Sequence, residues 1–489
     1  MRSQKHIPAP VLRWWPIPYL ALVTAVLFSA FAAWAYDDPF ITYRYAENIY
    51  DGLGMVYNPG ERVLSTTTPL FALLLASLRF FSTGVPTLAH LIGAFSLGAG
   101  ALFLWDFSRS LSVPAVGWAG LFLYPTFPLL VGTMGSETPL YLAFCLGACA
   151  LYARKWYALV GLFLGLAILT RGDGAVVVVI LGVDYLIREW PLGRKRSGAG
   201  TLFLDTSVGL AVVLAGVILP WVVFATGYFG SPLPVTLSVK RAQGIMEISE
   251  GFASGLWGMI RGYGQLRHYL VEGGLLLAGV AFALWRARGW LIFLVWPVLY
   301  ALAYTALGVT RYFWYYAPLV PGIVVAVGLG IGLLSNASGS RIVRIIGITI
   351  VLVLAGFQIG DLARLRSLPD ERYLAYRTVG EWLAENTLPG ASIGMLEVGI
   401  IGYYARPRPM VDFAGLIQPE VALQFTPQAT YQDAALWAVD EYQPDYLVLH
   451  NGLFPRLENG YVREHCQPIQ RFTSAEYGYS RDLVVYDCR

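Results

Sequence analysis

Charge is what this chain has least of. Only 13% of its 489 residues are Asp, Glu, Lys or Arg, about half the share of an ordinary soluble domain. So little charge cannot cover a water-facing surface along the whole length, which excludes a wholly soluble protein. Basic and acidic residues nearly balance, 34 against 31. Neither sign is in excess to attract a polyanion, and no nucleic-acid partner is expected. Histidine (5) and cysteine (4) are also rare, and the cysteines form no CxxC pair, so no metal-ligand set is predicted. No cofactor is assigned, and a requirement for a divalent cation stays open. Cys145 and Cys149 fall in an apolar run and read as packing. Cys466 and Cys488 lie in a polar C-terminal region and can pair if that region is outside the cytoplasm.

In place of charge there are long apolar runs. A helix needs about 20 apolar residues to cross a bilayer, and runs of that order recur along most of the chain. They predict a polytopic α-helical membrane protein with about eleven transmembrane helices, near 15–35, 86–105, 114–132, 138–153, 157–170, 174–187, 203–226, 270–285, 289–307, 316–335 and 342–360. The first run ends in Trp34 and Tyr36 instead of small residues, so it reads as a retained span and not a cleaved leader. One further run, Pro69 to Leu78, is short and is followed by Arg79. Such runs more often lie along a membrane than across it.

The distribution of Lys and Arg sets the orientation. With 69–82 interfacial and Arg2, Lys5 and Arg13 cytoplasmic, fourteen basic loop residues fall inside and nine outside. If 69–82 crosses, the counts become ten and thirteen, against the positive-inside rule. The GRKR cluster at 193–196 weighs most. The expectation is a multi-pass plasma-membrane protein with a cytoplasmic N-terminus. Residues 1–360 form its transmembrane domain. A first outer loop at 36–68, an interfacial helix at 69–82 and an outer loop at 227–269 belong to it. The 227–269 segment is too polar and Gly-rich to be wholly spanning and is expected to fold over the membrane face as a lid. From 361 to 489 polar residues return at soluble-domain frequency. A helical pattern at 370–387 and short apolar runs at 391–399, 444–450 and 482–487 read as an extracytoplasmic α/β domain.

The most informative stretch is DDPFITYRYAENIYDGLGMVYNPGERVLSTTTPL, residues 37–70. Two adjacent carboxylates can raise one pKa and tune a base, but Asp37 and Asp38 alone could equally mark a membrane boundary. The order of the whole stretch is more specific. It resembles the first extracytoplasmic loop of GT-C glycosyltransferases that use polyprenyl-phosphate sugars. Within that class it is most similar to the terminal arabinofuranosyltransferases of actinobacterial cell walls. Their loop begins with an acidic pair, continues with a Tyr- and Arg-containing helix and a Gly-x-Gly turn, and ends in Asn-Pro-Gly-Glu-Arg-Val. Here these elements are Asp37–Asp38, Tyr43–Arg44–Tyr45, Gly52–Leu53–Gly54 and Asn58–Val63. MGSETPLY (134–141), LTRGDG (169–174), RYFWYYAPLVP (311–321), EVGIIGYYA (397–405) and VDFAGL (411–416) extend the resemblance. Gly172 replaces a family proline. Leu64-Ser65-Thr66-Thr67-Thr68 replaces Glu-Gly-Tyr-Thr-Asn, which leaves the sugar open.

The resemblance implies a GT-C fold and a transfer reaction. A first-loop carboxylate, Asp38 with Asp37 in support, takes the proton of an acceptor hydroxyl. The polyprenyl phosphate leaves and needs cationic stabilisation. Arg311 and Arg171 are the first candidates for it, then Lys240, Arg241 and His268. Tyr43, Arg44, Glu61, Thr67, Glu137, Asp173, Tyr315 and Tyr316 are the candidate substrate contacts. Plainer readings stand beside these. Arg311 can snorkel from a span end, Arg171 and Asp173 can close a helix–helix turn, and Glu137 can stabilise a helix N-terminus. Trp314, Tyr315 and Tyr316 can form an interfacial belt. The implied partners are a polyprenyl-phosphate sugar (a pentofuranose such as arabinofuranose, or a hexose such as mannose), a glycan or glycolipid acceptor, and the bilayer. The competing reading is a multispan transporter or lipid flippase, which predicts internal repeats and polar groups at mid-membrane. No repeat is visible, and the polar residues fall at span ends.

Overall fold

A computed structural model describes residues 14–81, 84–188, 207–336, 341–367 and 371–489. Arg2, Lys5, Arg13 and the 193–196 cluster, on which the orientation count leans, lie outside these residues. So do residue 82 and residues 203–206 of the seventh predicted span.

The chain is mostly helical, and its apolar runs fold as helices. Among the described residues six helices are long and apolar enough to cross a membrane, including Val85–Ser110, Arg267–Trp285 and Val208–Phe229. Shorter apolar helices include Pro16–Phe31, Thr138–Ala153 and Tyr157–Thr170. The predicted span at 114–132 is not continuous. A helix covers Pro114–Phe122 and a second, of four residues, covers Pro128–Val131. Pro125 and Pro128 explain the break, since each lacks the N–H that a continuing helix needs.

Residues 227–269 also differ from the expected loop. The helix before them runs on to Phe229, and the segment then forms the helices Thr236–Ile245 and Phe252–Gly264. Each buries one face. Val239, Lys240 and Gln243 point inward from the first, Phe252 and Gly255 from the second, while Trp257 and Ile260 stay exposed. Their polarity reflects amphipathic helices, so composition averaged over the segment hid a helical period. The boundary placed at 360 falls inside a helix, because Arg341–Ser367 continues past Gly360.

From Glu371 onward helices pack on a five-stranded sheet of order β2-β1-β3-β5-β4. The strands are β1 Ile393–Met395, β2 Met410–Asp412, β3 Tyr446–His450, β4 Gln467–Phe472 and β5 Leu483–Asp487. β1 pairs in parallel with β2 and β3, and β5 runs antiparallel to β3 and β4. β1, β2 and β3 are buried throughout. β4 is an exposed edge carrying Pro468 and a register shift, the two devices that blunt an edge strand. β2 and β4 were not among the strands read from the sequence. A Cys466–Cys488 disulfide fastens the end of the chain beside that edge.

Two hydrophobic cores result. One lies within the helix bundle. The other joins the C-terminal domain to the first loop, with Phe40, Tyr43, Tyr45 and Tyr57 packed in the same cluster as Ile393, Ile401 and Val448. The Pro69–Leu78 helix joins this second core through Phe71 and Leu75 and leaves Leu73 exposed, as are Phe80 and Phe81 in the turn that follows it.

Candidate active site

The first loop is built to be covered. Pro39 sits in the first turn of the Pro39–Tyr50 helix, where its missing N–H costs nothing. Ten of that helix's residues are buried, including Arg44 and Glu47. A buried guanidinium needs its donors satisfied, and here carbonyls do so. Arg44 donates to Gly402 O and Arg408 O at 2.6 Å each, and to Tyr57 O at 2.9 Å. Asn58 exchanges two hydrogen bonds of 2.9 Å with the backbone of Met410. Glu47 receives Arg79 at 3.2 Å and the Tyr403 hydroxyl at 2.9 Å. The contacts to Gly402, Tyr403, Arg408 and Met410 dock the C-terminal domain on the loop. Arg44 therefore joins two parts of the protein and is not free to bind substrate. Tyr43 is likewise buried, its hydroxyl donating to Gly135 O.

The acidic pair divides. Asp37 accepts the backbone N–H groups of Ile400 at 2.8 Å and Gly399 at 3.1 Å. A Cβ at position 399 would collide with the Asp37 carbonyl and carboxylate, so the contact requires glycine. Burial pushes the Asp37 carboxyl up, and its two N–H bonds only partly offset that. Asp38 instead faces open space, with a side chain 38% exposed and Lys240 Nζ at 3.6 Å. Lys240 is itself buried and lies over the Tyr312 ring at 3.9 Å. Tyr312, Trp314 and Tyr36 form one stack, with centroids 4.6 and 5.1 Å apart. Both faces of Trp314 are thus occupied.

Asp38 and Lys240 stand where two cavities meet. One, of about 580 Å³, is mainly apolar and is walled by Ile168, Leu169, Ile218, Trp221, Val222 and Leu307. Thr67 and Tyr315 also line it. In its wall Thr42, Thr66 and Thr68 bond to one another at 3.0–3.2 Å, so the Thr-rich departure folds into a hydroxyl triangle. The other cavity, of about 600 Å³, lies against the C-terminal domain and is bordered by Asp37, Glu397, Arg372, Arg311, Gln243 and Tyr431.

Arg171, Glu137 and Asp173 also reach the apolar cavity, as one locked group. Arg171 donates to Glu137 at 2.9 Å, to both Asp173 oxygens at 3.0–3.2 Å and to Tyr304 at 3.1 Å. Two carboxylates outweigh its single charge, which makes it a poor phosphate anchor. Arg311 is half exposed and paired with Glu250 at 2.6 Å. Besides Tyr43 and Arg44, four candidates stand outside both linings. Arg241 and Glu61 are exposed, and Tyr316 is buried with its hydroxyl on Phe252 O. His268 bonds Asp361 at 2.9 Å and stacks on Phe357. Near it, Gln358 links Glu272 and Thr126. Among the described residues no cluster of three or more His, Cys, Asp or Glu could hold a metal ion.

Sequence reasoning passed over Glu397, Arg372, Gln243 and Tyr431. A signal for Glu397 existed, since it opens the EVGIIGYYA element as the one charge in an apolar stretch. The others lie on separate elements and meet only in the fold.

Residues 365–486 match a family model described as a domain of unknown function (DUF8728). No curated protein matches the chain in sequence. In structure it is similar to ArnT from Cupriavidus metallidurans bound to undecaprenyl phosphate. The TM-score is 0.63 and the identity 15%, over 97% of this chain and 98% of that one. The same enzyme in the apo state gives a TM-score of 0.66 at 15% identity, with the same coverage. The Archaeoglobus fulgidus oligosaccharyltransferase in the apo form gives 0.59 at 13% identity, over 91% of this chain and 70% of that one. The chain thus has the fold of GT-C membrane glycosyltransferases.

Proposed function

We propose that the protein transfers a sugar from a polyprenyl-phosphate donor to an acceptor hydroxyl at the outer face of the plasma membrane. The observation that carries this reading is the Asp38–Lys240 pair at the junction of an apolar and a polar cavity. A lipid phosphate sugar needs that arrangement: a greasy slot for the prenyl chain, one cation for the phosphate, and a carboxylate beside the sugar. The first prenyl units lie in the apolar cavity and the phosphate meets Lys240. Asp38 takes the proton of an acceptor hydroxyl that enters from the polar side. The new glycosidic bond forms at the anomeric carbon as its bond to phosphate breaks, and polyprenyl phosphate leaves already ionised. Lys240, desolvated and rigidly held, stabilises that charge more than a solvated lysine could. Asp37 keeps its place in the loop and serves as the joint to the C-terminal domain. The disulfide supports an extracytoplasmic C-terminal domain, since such bonds persist in oxidising compartments. Similarity to a structure bound to undecaprenyl phosphate supports the lipid carrier. The sugar is left open by the first loop, between a pentofuranose such as arabinofuranose and a hexose such as mannose.

The test is transfer from synthetic polyprenyl-phosphate sugars by purified protein. Asp38→Asn should cut the rate by about 10²–10⁴, the usual contribution of a general base. Full activity in that variant overturns the assignment. Lys240→Met should lose binding of undecaprenyl phosphate, and unchanged binding removes Lys240 from the phosphate site.

A further inference from the structure

The polar cavity has a chemistry of its own. Its border carries three acids (Asp37, Asp38, Glu397) and three bases (Lys240, Arg311, Arg372). Charges that cancel in this way suit neither a free anion nor a free cation. They suit a neutral ligand rich in hydroxyl groups, which both donates and accepts hydrogen bonds. Most of these side chains are already committed. Asp37 holds Gly399 and Ile400, Arg311 is paired with Glu250, and Lys240 lies against Asp38. Glu397 differs, because among the described residues its carboxylate has no hydrogen-bond partner. It stands two residues before the Asp37–Gly399 contact, on the turn that follows β1. The clasp that docks the domain therefore also fixes where this carboxylate sits.

We propose that the polar cavity binds a sugar ring of the acceptor, and that Glu397, carried there by the C-terminal domain, accepts hydrogen bonds from its hydroxyls. The proposal rests on the transferase reading above and gives the domain a task, that of recognising the glycan to be extended. Asp37 is then a positioning residue for Glu397. Gly399, which admits no side chain beside Asp37, keeps the turn close enough for the contact. Burial and the nearby Asp37 push the Glu397 carboxyl up.

The test uses the full chain in lipid nanodiscs and two probes. One is saturation-transfer NMR with the methyl glycosides of arabinofuranose, mannose and glucose. The other is binding of undecaprenyl phosphate. In the native protein at least one glycoside should receive saturation. Glu397→Gln should lower that signal at least fivefold, Glu397→Asp should restore part of it, and both should bind undecaprenyl phosphate as the native protein does. The proposal is overturned if no glycoside receives saturation, if Glu397→Gln leaves the signal intact, or if both variants lose the lipid together with the sugar. Sugar binding without any undecaprenyl phosphate binding would instead overturn the transferase reading and leave the sugar site standing.

Discussion

Replacing Arg44 by Met should release the C-terminal domain from the first loop. The side chain is fully buried, and Met fills similar space without donors. Two of the bonds it loses, to Gly402 O and Arg408 O, cross between the loop and the domain. Hydrogen bonds with one charged partner contribute about 1.5–3 kcal/mol each, so the docked state should lose about 3–6 kcal/mol. Ten percent of the original equilibrium constant remains for every 1.4 kcal/mol, which raises the open population by about a hundredfold to ten-thousandfold. Limited proteolysis reads that population directly when reclosing outpaces cleavage. Cleavage within 393–412 should accelerate by at least a hundredfold in Arg44→Met. Arg44→Lys keeps the charge but not the fork, and should fall between the two. Acceleration below tenfold in Arg44→Met would refute the claim that this guanidinium holds the domain down.

Further outcomes follow from the same geometry. Gly399→Ala should loosen the same joint, because its Cβ meets the Asp37 backbone; native-like hydrogen exchange at Ile400 would refute this. The carboxyls of Asp37 and Glu397 are raised from 3.8 and 4.5, Glu397 to about 8. The folded protein therefore keeps protons that the unfolded chain has lost. Their contribution to stability is full below about pH 4 and is lost as pH rises through the folded values. Thermal midpoints should fall between about pH 5 and pH 8.5, and Glu397→Gln should flatten that fall. Asp412, pushed up to about 7 by complete burial, acts with the same sign. Cys466→Ser opens a loop spanning 22 residues and should cost the C-terminal domain about 3 kcal/mol, seen as a lower denaturation midpoint. An unchanged midpoint would place the disulfide outside the domain's stability.

The bundle was legible in the sequence because apolar runs report span positions directly. It failed at 114–132, where Pro125 and Pro128 outweigh hydropathy, and at 227–269, where the average over the segment masked two amphipathic faces. For the candidate site, the ordered motif singles out the first loop but does not separate the tasks of its residues. Asp37 and Asp38 are neighbours of identical chemistry, and only the fold shows that one meets Gly399 and the other Lys240. Arg44 and Tyr43 lie in the same motif as the acids and look like ligands. Burial beneath residues some 360 positions away makes them fasteners instead. Arg171 reads from the sequence either as a phosphate ligand or as the partner of Asp173, and in space it is paired with both Asp173 and Glu137. Lys240 showed the reverse, a minor candidate that the Thr236–Ile245 helix carries to the junction of both cavities.

The clasp at Arg44 also imposes an order of events on biosynthesis. The first loop leaves the ribosome early, yet its partners Gly402 and Arg408 are more than 350 residues downstream. At about 5–20 residues per second, that interval is roughly 20–70 s. Throughout it, Arg44 and the apolar side chains of the loop wait in water or against the lipid surface without their cover. Docking of the first loop on the C-terminal domain is therefore a late step in making the protein. A chain cut short before Gly402 and Arg408 would leave the Arg44 guanidinium without two of its carbonyl partners.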